Sequence, residues 1–231
     1  MADHATNIGK RVGYIVNGYR HCKGKINDLK QDTFRMAALV KNSFHLSHEA
    51  LFYQNLASAE KITPIERKID EFYRQIQSDC VFLMTLQAPD GKDSRLIGAY
   101  MQLVRDLERI GDYAQDLSEI AYKLSRYPAH PSMSCMSQIE EMFNHTQIML
   151  AKSLVALADL DAEVGQRVKQ LDLTVNRLYQ QVYTTLASQQ DVKGVIEPLL
   201  LLAFVIRHIE RMADHATNIG QRVAFIVVSD S

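Results

Sequence analysis

The chain has 231 residues, 47% of them hydrophobic and 23% charged, which is enough to bury one large core or two modest ones. Its 26 Lys and Arg nearly balance 27 Asp and Glu, and a formal net charge of -1 excludes a global nucleic-acid clamp. The longest apolar run, LLLLAFVI at 199–206, stops at Arg207 and His208, well short of the roughly 20 residues that span a bilayer.

The opening MADHATNIGKRVGYIV places Asp3 and His4 ahead of any apolar run, so it does not read as a signal peptide. It reads as a short helix with a stop signal at Asn17-Gly18. Helices are then expected at about 26–52, 56–86, 94–124, 137–158, 162–188 and 195–228. Pro64 bends the second of these or marks its true start. Pro89 and Gly91 in QAPDGKDS mark a turn. Pro128 and Pro131 in RYPAHPSMS divide the chain into units at 26–127 and 137–228, behind an additional segment at 1–25. Ser137 followed by Glu140 has the spacing of a capping box. Ile139, Met142, Phe143, Thr146, Met149, Leu150, Leu154 and Leu157 share one helix face, as do Val164, Val168, Leu171, Val175, Leu178, Val182 and Leu186. No sustained alternation suggests a sheet, so the chain reads as all-α, two tandem three-helix bundles with an extra N-terminal helical segment. Cys22, Cys80 and Cys135 are odd in number and far apart, which fits a reducing compartment better than a disulfide framework.

The two units repeat one another. IERKIDEFYRQI at 65–76 aligns with QLDLTVNRLYQQV at 170–182, pairing Glu66, Asp70 and Tyr73 with Asp172, Asn176 and Tyr179. LERIGDYAQDLSEIA at 107–121 aligns with IERMADHATNIGQRV at 209–223. The offsets are 106 and 102 residues, as a duplicated unit with one altered loop would give. A third copy lies at the start, where residues 1–16 match 212–227 at 13 of 16 positions. Ile8, Val12 and Ile15 of this copy share a face, so the segment is expected to influence self-association while being dispensable for folding.

Acidic residues recur at helical spacing. Glu108, Asp112 and Asp116 are four apart, each step drifting by about 40° around the helix. The second unit offers Glu210, Asp214 and Asn218, whose amide carbonyl can also coordinate. Glu66 with Asp70, and Asp172 with Asn176, supply oxygens from the preceding helices. Spaced acids alone fit a solvated face or intrahelical ion pairs. Their recurrence in both units favours oxygen-ligated cations such as iron, manganese, zinc or magnesium. Arg109 and His215 are expected to face away from these acids, and His45 and His48 to be ordinary surface histidines. Tyr100, Tyr113 and Tyr122 read as packing residues, and Ser134, Cys135 and Ser137 lack an identifiable base for nucleophilic chemistry. The chain has no HExxH, ExxH, GxGxxG or Walker sequence. A bundle-type metal-dependent oxidoreductase or hydrolase therefore stands as the alternative, beside a metal-stabilised scaffold.

At RDLERIGDYAQD (105–116) and RHIERMADHATNIG (207–220) the chain closely resembles the PhoU family of phosphate-uptake regulators. The opening, with Tyr14, Val16, Gly18, Arg20 and His21, resembles the tail of the same family, displaced to the front. The resemblance implies two three-helix bundles, a cytoplasmic homodimer and multinuclear iron or other divalent or trivalent metal ions at E/DxxxD motifs. Glu108, Asp112 and Asp116 would then serve one cluster with Glu66 and Asp70. Glu210, Asp214 and Asn218 would serve the other with Asp172, while Asn176 stands where the family has an acid. It further implies negative regulation of phosphate uptake and of the phosphate-starvation response, without catalysis. The implied partners are the ATPase of a phosphate ABC transporter and a sensor histidine kinase, with no direct nucleic acid and any membrane association made through those partners.

Overall fold

The computed structural model describes the backbone of residues 2–86, 91–128, 130–188 and 196–228, and side-chain surroundings from Gly24 onward within them except at residues 86, 92, 131 and 228. Helices α1 (Ala2–Phe52), α3 (Ile62–Leu86) and α4 (Gly91–Leu124) form one three-helix bundle, with the short α2 (Leu56–Glu60) lying against it. Helices α5 (Met136–Asp159), α6 (Ala162–Ala187) and α7 (Glu197–Val228) form the second. No strand occurs among the described residues.

Each bundle closes because its helices carry an apolar stripe at steps of three and four. In the first, Met36, Val40 and Phe44 of α1 meet Ile69, Ile76 and Leu83 of α3 and Leu103, Leu107, Ile110 and Leu117 of α4, all essentially fully buried. In the second, the expected α5 face is buried except for Leu154, which is half-buried. Val168, Val175, Leu178, Val182 and Leu186 of α6 are buried against it. Two seams join the bundles: α4 lies along α7, and α1 meets α5. At the smaller seam the Phe44 and Phe143 rings sit 4.5 Å apart.

Several local expectations are revised. The first helix is continuous from Ala2 to Phe52, so Asn17-Gly18 does not end it and the opening copy is not a separate helix. A glycine inside a helix costs only about 1 kcal/mol, which the rest of a long helix outweighs. The expected helix at 56–86 is broken at Lys61, and Pro64 sits in the first turn of α3, where its missing N–H is harmless. Ser137 does not cap α5. That helix starts at Met136, directly behind a 3-10 turn at Pro131–Cys135 whose own cap is His130, so Ser137 already lies inside it. Asp161 caps α6 instead, accepting from the N–H groups of Glu163 and Val164 at 2.9 and 3.0 Å. The turn expected at Pro89 falls on residues 87–90, outside the described residues, as do the side chains of Ile8, Val12 and Ile15.

The second bundle has one very close helix crossing. A Cβ placed on Gly220 would lie 2.6 Å from the Gly165 carbonyl oxygen, and one on Gly165 only 2.4 Å from that of Gly220. The backbones of α6 and α7 touch there. Gly98 on α4 faces open space. Gly220→Ala should therefore cost about 1–3 kcal/mol by forcing the helices apart. Gly98→Ala should stabilise by about 0.5–1 kcal/mol through lower unfolded-state entropy. Thermal and urea melts of the two variants should move in opposite directions.

Candidate metal centre

Glu66 and Asp70 are one helical turn apart on α3, and Asp112 lies opposite them on α4. One carboxylate oxygen from each falls within 4.8 Å of the others, and all three side chains are half-buried. Cations with metal–oxygen bonds of about 2.0–2.6 Å can bridge oxygens at such separations. Crowding and partial burial disfavour the ionised forms. Burial pushes the Glu66 carboxyl up, and Asp70 and Asp112 push it further. Burial likewise raises Asp112, against the opposing pull of Arg109, and raises Glu108, with Asp112 adding to it.

In contrast to the expectation that Arg109 points away, its guanidinium reaches both acids, lying 3.2 Å from Asp112 and 3.5 Å from Glu108. Arg211 repeats the arrangement in the second bundle, 3.6 Å from Asp214 and 3.9 Å from Glu210, and Arg207 lies 2.8 Å from Glu210. There Asp172, Glu210 and Asp214 do not bring their oxygens within 4.8 Å of one another as the first-bundle acids do, although burial raises the Asp172 and Glu210 carboxyls and in each the next cause is Asp214. Asn176 donates its amide to Asp172 Oδ2 at 2.9 Å, giving a hydrogen bond where the first bundle has two like charges. Asp172 Oδ1 is buried with no protein partner, the kind of oxygen a cation would satisfy.

The third residue of each motif turns elsewhere. Asp116 lies toward α7, its carboxylate 3.9 Å from His208 Nδ1. Asn218 turns to α4 and donates to Asp106 Oδ1 at 3.4 Å. Two steps of about 40° carry both side chains off the ligand face and onto the seam between the bundles.

That seam holds residues the sequence did not single out. Asp106 is buried, with 4% of its surface exposed. It accepts from Arg222 Nε at 2.9 Å and lies 2.8 Å from His215 Nδ1, so His215 is a partner of Asp106, not a bystander. Under the 102-residue offset Asp106 corresponds to His208 and His215 to Tyr113, and these two rings also meet, at 5.3 Å. The duplicated contact is a carboxylate–imidazole hydrogen bond on one side and a ring contact on the other. Its signal was present in the sequence only as unlike residues at equivalent positions. His48, read as a surface histidine, is mostly buried between Phe52 and Phe143, 3.2 Å from Glu140, and burial lowers its pKa. Burial also pushes the Cys80 thiol up to about 12, leaving it unreactive as a nucleophile.

A family model describing the PhoU domain matches residues 33–121 and 139–223. The chain belongs to the PhoU family. It is 56% identical over 199 residues to a Synechocystis protein named as a phosphate-specific transport system accessory protein PhoU homolog, covering 86% of this chain and 88% of that one. A Pseudomonas aeruginosa protein of the same name is 28% identical over 204 residues, covering 88% and 84%. Among solved structures, PhoU from Pseudomonas aeruginosa superposes with a TM-score of 0.85 at 28% identity, over 90% of this chain and 99% of that one. The regulatory protein PhoU from Streptococcus pneumoniae shares the fold, with a TM-score of 0.80 at 23% identity over 90% and 97%.

Two outcomes follow from the electrostatics. Replacing Asp106 with alanine leaves Arg222 without its counterion in the seam and should cost about 3 kcal/mol in denaturant melts. The raised carboxylates bind protons more tightly in the folded than in the unfolded protein. They therefore favour folding as pH falls through their raised values, and lose that contribution as pH rises through them. Chelator-treated protein should lose stability as pH rises above the ordinary carboxylate range, about 4, relative to a Glu66→Gln, Asp112→Asn variant. Both proteins retain His48 and His208, so the histidine contributions cancel. A constant difference in melting temperature would remove the repulsion argument.

Proposed function

We propose that the protein is an accessory regulator of phosphate uptake that holds metal ions on its two carboxylate faces. The convergence of Glu66, Asp70 and Asp112 within a family of phosphate-transport accessory proteins carries this reading. The donors are carboxylate oxygens, which fit iron, manganese, zinc or magnesium, and a bound cation would supply the positive charge that these faces lack. Glu66, Asp70, Glu108 and Asp112 would hold it in the first bundle, and Asp172, Glu210 and Asp214 in the second. Asp116 and Asn218 would serve the seam instead. Arg109 and Arg211 hold the acids in place and partly offset their repulsion.

Regulation in this reading is binding without covalent chemistry. Residues 26–127 and 137–228 act as two units that present cation-bearing helix faces to the ATPase of a phosphate ABC transporter and to a sensor histidine kinase. Preferential binding to the inactive kinase shifts its population toward that state when phosphate is plentiful, restraining uptake. No described helix is long and apolar enough to cross a membrane; in this reading the protein acts as a cytoplasmic homodimer and meets the membrane through its partner proteins. A hydrolase or oxidoreductase built in a bundle characteristically takes histidine ligands from ExxH pairs, and the acids gathered here come without that motif.

Protein purified without chelator should carry metal, and Glu66→Gln with Asp112→Asn should remove the larger share. Asp172→Asn with Asp214→Asn should remove less, because Asn176 already weakens that face. Elemental analysis of the three proteins decides this, and negligible metal in all of them would overturn the metal reading. Affinity purification from phosphate-replete cells tests the regulatory reading separately. Recovery of the transporter ATPase and the kinase is expected, and reproducible absence of both would overturn it.

A further inference from the structure

A cavity of about 460 Å³ opens where the N-terminal half of α4 meets the C-terminal half of α7, away from the carboxylate faces. Arg95 and Arg222 line it, one from each bundle. No carboxylate occurs among the described lining residues, so the cavity is not a second cation site. Arg222 is fixed from behind: its Nε donates to Asp106, and its Nη1 donates to Gln102 Oε1. A guanidinium held in this way is preorganised for an oxyanion. Gln102, Gln221 and Asn218 add carboxamides, and Phe225, 59% exposed, stands at the rim.

The duplication shows how far this groove has diverged. In the equivalent groove, under the 102-residue offset, Glu197 stands for Arg95, Leu200 for Gly98 and Phe204 for Gln102. On the facing helix Asp116 stands for Asn218, Glu119 for Gln221 and Lys123 for Phe225. One groove thus carries two arginines and a glycine that leaves space. Its twin carries three carboxylates and one lysine, with bulky side chains where the glycine and glutamine lie. A shared fold does not require this difference, since the same two helices make both grooves.

We propose that this cavity binds a small phosphate-bearing ligand. The phosphate group sits between Arg95 and Arg222, where its several acceptor oxygens match the guanidinium forks and the carboxamide donors. The volume exceeds what a lone oxyanion needs and lies in the range of pockets that hold small organic molecules, about 300–1,000 Å³. Free phosphate and a phosphate monoester share the chemistry that would recognise them here. The site is independent of the metal reading: neither arginine belongs to the ligand sets, and Asn218 faces this cavity.

Titration calorimetry on the full-length, metal-stripped protein with inorganic phosphate, AMP and adenosine tests it, because stripping prevents bound cations from capturing phosphate. AMP or inorganic phosphate should bind, and adenosine should bind at least tenfold more weakly than AMP. Tighter binding of AMP than of phosphate identifies a monoester site, and equal binding identifies a site for the free anion. Gly98→Leu with Gln102→Phe copies the twin groove into open space and should weaken binding at least tenfold while leaving the melt cooperative. Arg95→Gln, at an exposed position, should do the same without adding bulk. Failure of both phosphate probes to bind, adenosine binding as tightly as AMP, or binding unchanged in both variants would overturn the proposal.

Discussion

Asp106 is the one charged side chain among the described residues that is buried, and the arrangement of the two bundles turns on it. An ionised carboxylate withdrawn from water needs donors that return what hydration supplied. All of its side-chain partners come from the opposite bundle: Arg222, His215 and Asn218 on α7. Apolar contacts between α4 and α7 would tolerate a slip of one helix along the other, whereas this group of partners fixes a single register. The register determines which residues flank the seam, and so both the position of His208 beside Asp116 and the meeting of Arg95 with Arg222 across the cavity.

The carboxylate faces depend on the same seam for their direction. With one side of α4 committed to α7, another side packs on α3 and presents Glu108 and Asp112 toward Glu66 and Asp70. Helix α7 does likewise with α6. Repulsion among these acids is tolerated because each group is only partly buried and an arginine lying between two acids in each motif reaches both of them. Such a cluster is poorly satisfied by the protein alone, and Asp172 Oδ1 is the clearest instance.

Much of the helical layout was legible in the sequence because three- and four-residue periodicity survives in every long helix, and because the duplication repeats its motifs at nearly constant offset. The gathering of Glu66, Asp70 and Asp112 was legible for the same reason. The fate of the third motif residue was not. Spacing by four keeps neighbours close, yet two steps rotate a side chain by about 80°, and whether that leaves it with the ligands or with the seam depends on where the next helix packs. Asp106, His215 and Arg222 were illegible for a related reason: each finds its partner more than a hundred residues away, and the twin positions carry residues of different chemistry. Gly18 misled because local propensity is a weak signal inside a long helix.

The contact between Gly165 and Gly220 gives the two halves different mechanical stiffness. In the second bundle α6 and α7 rest backbone on backbone, and this fulcrum lies six or seven residues, about 10 Å, from Asp172 and Asp214. The gap between those acids is set by main-chain atoms that have no rotamers to exchange. In the first bundle the positions equivalent to these glycines are Ala59 and Ser118, and the close approach beside Asp112 is of Gly111 to the side chain of Ile69, 3.1 Å from where a Cβ would stand. A side chain can rotate aside where a carbonyl cannot. The helices beside Asp112 can therefore part more readily than those beside Asp172 and Asp214, whose separation is fixed when the backbones are packed.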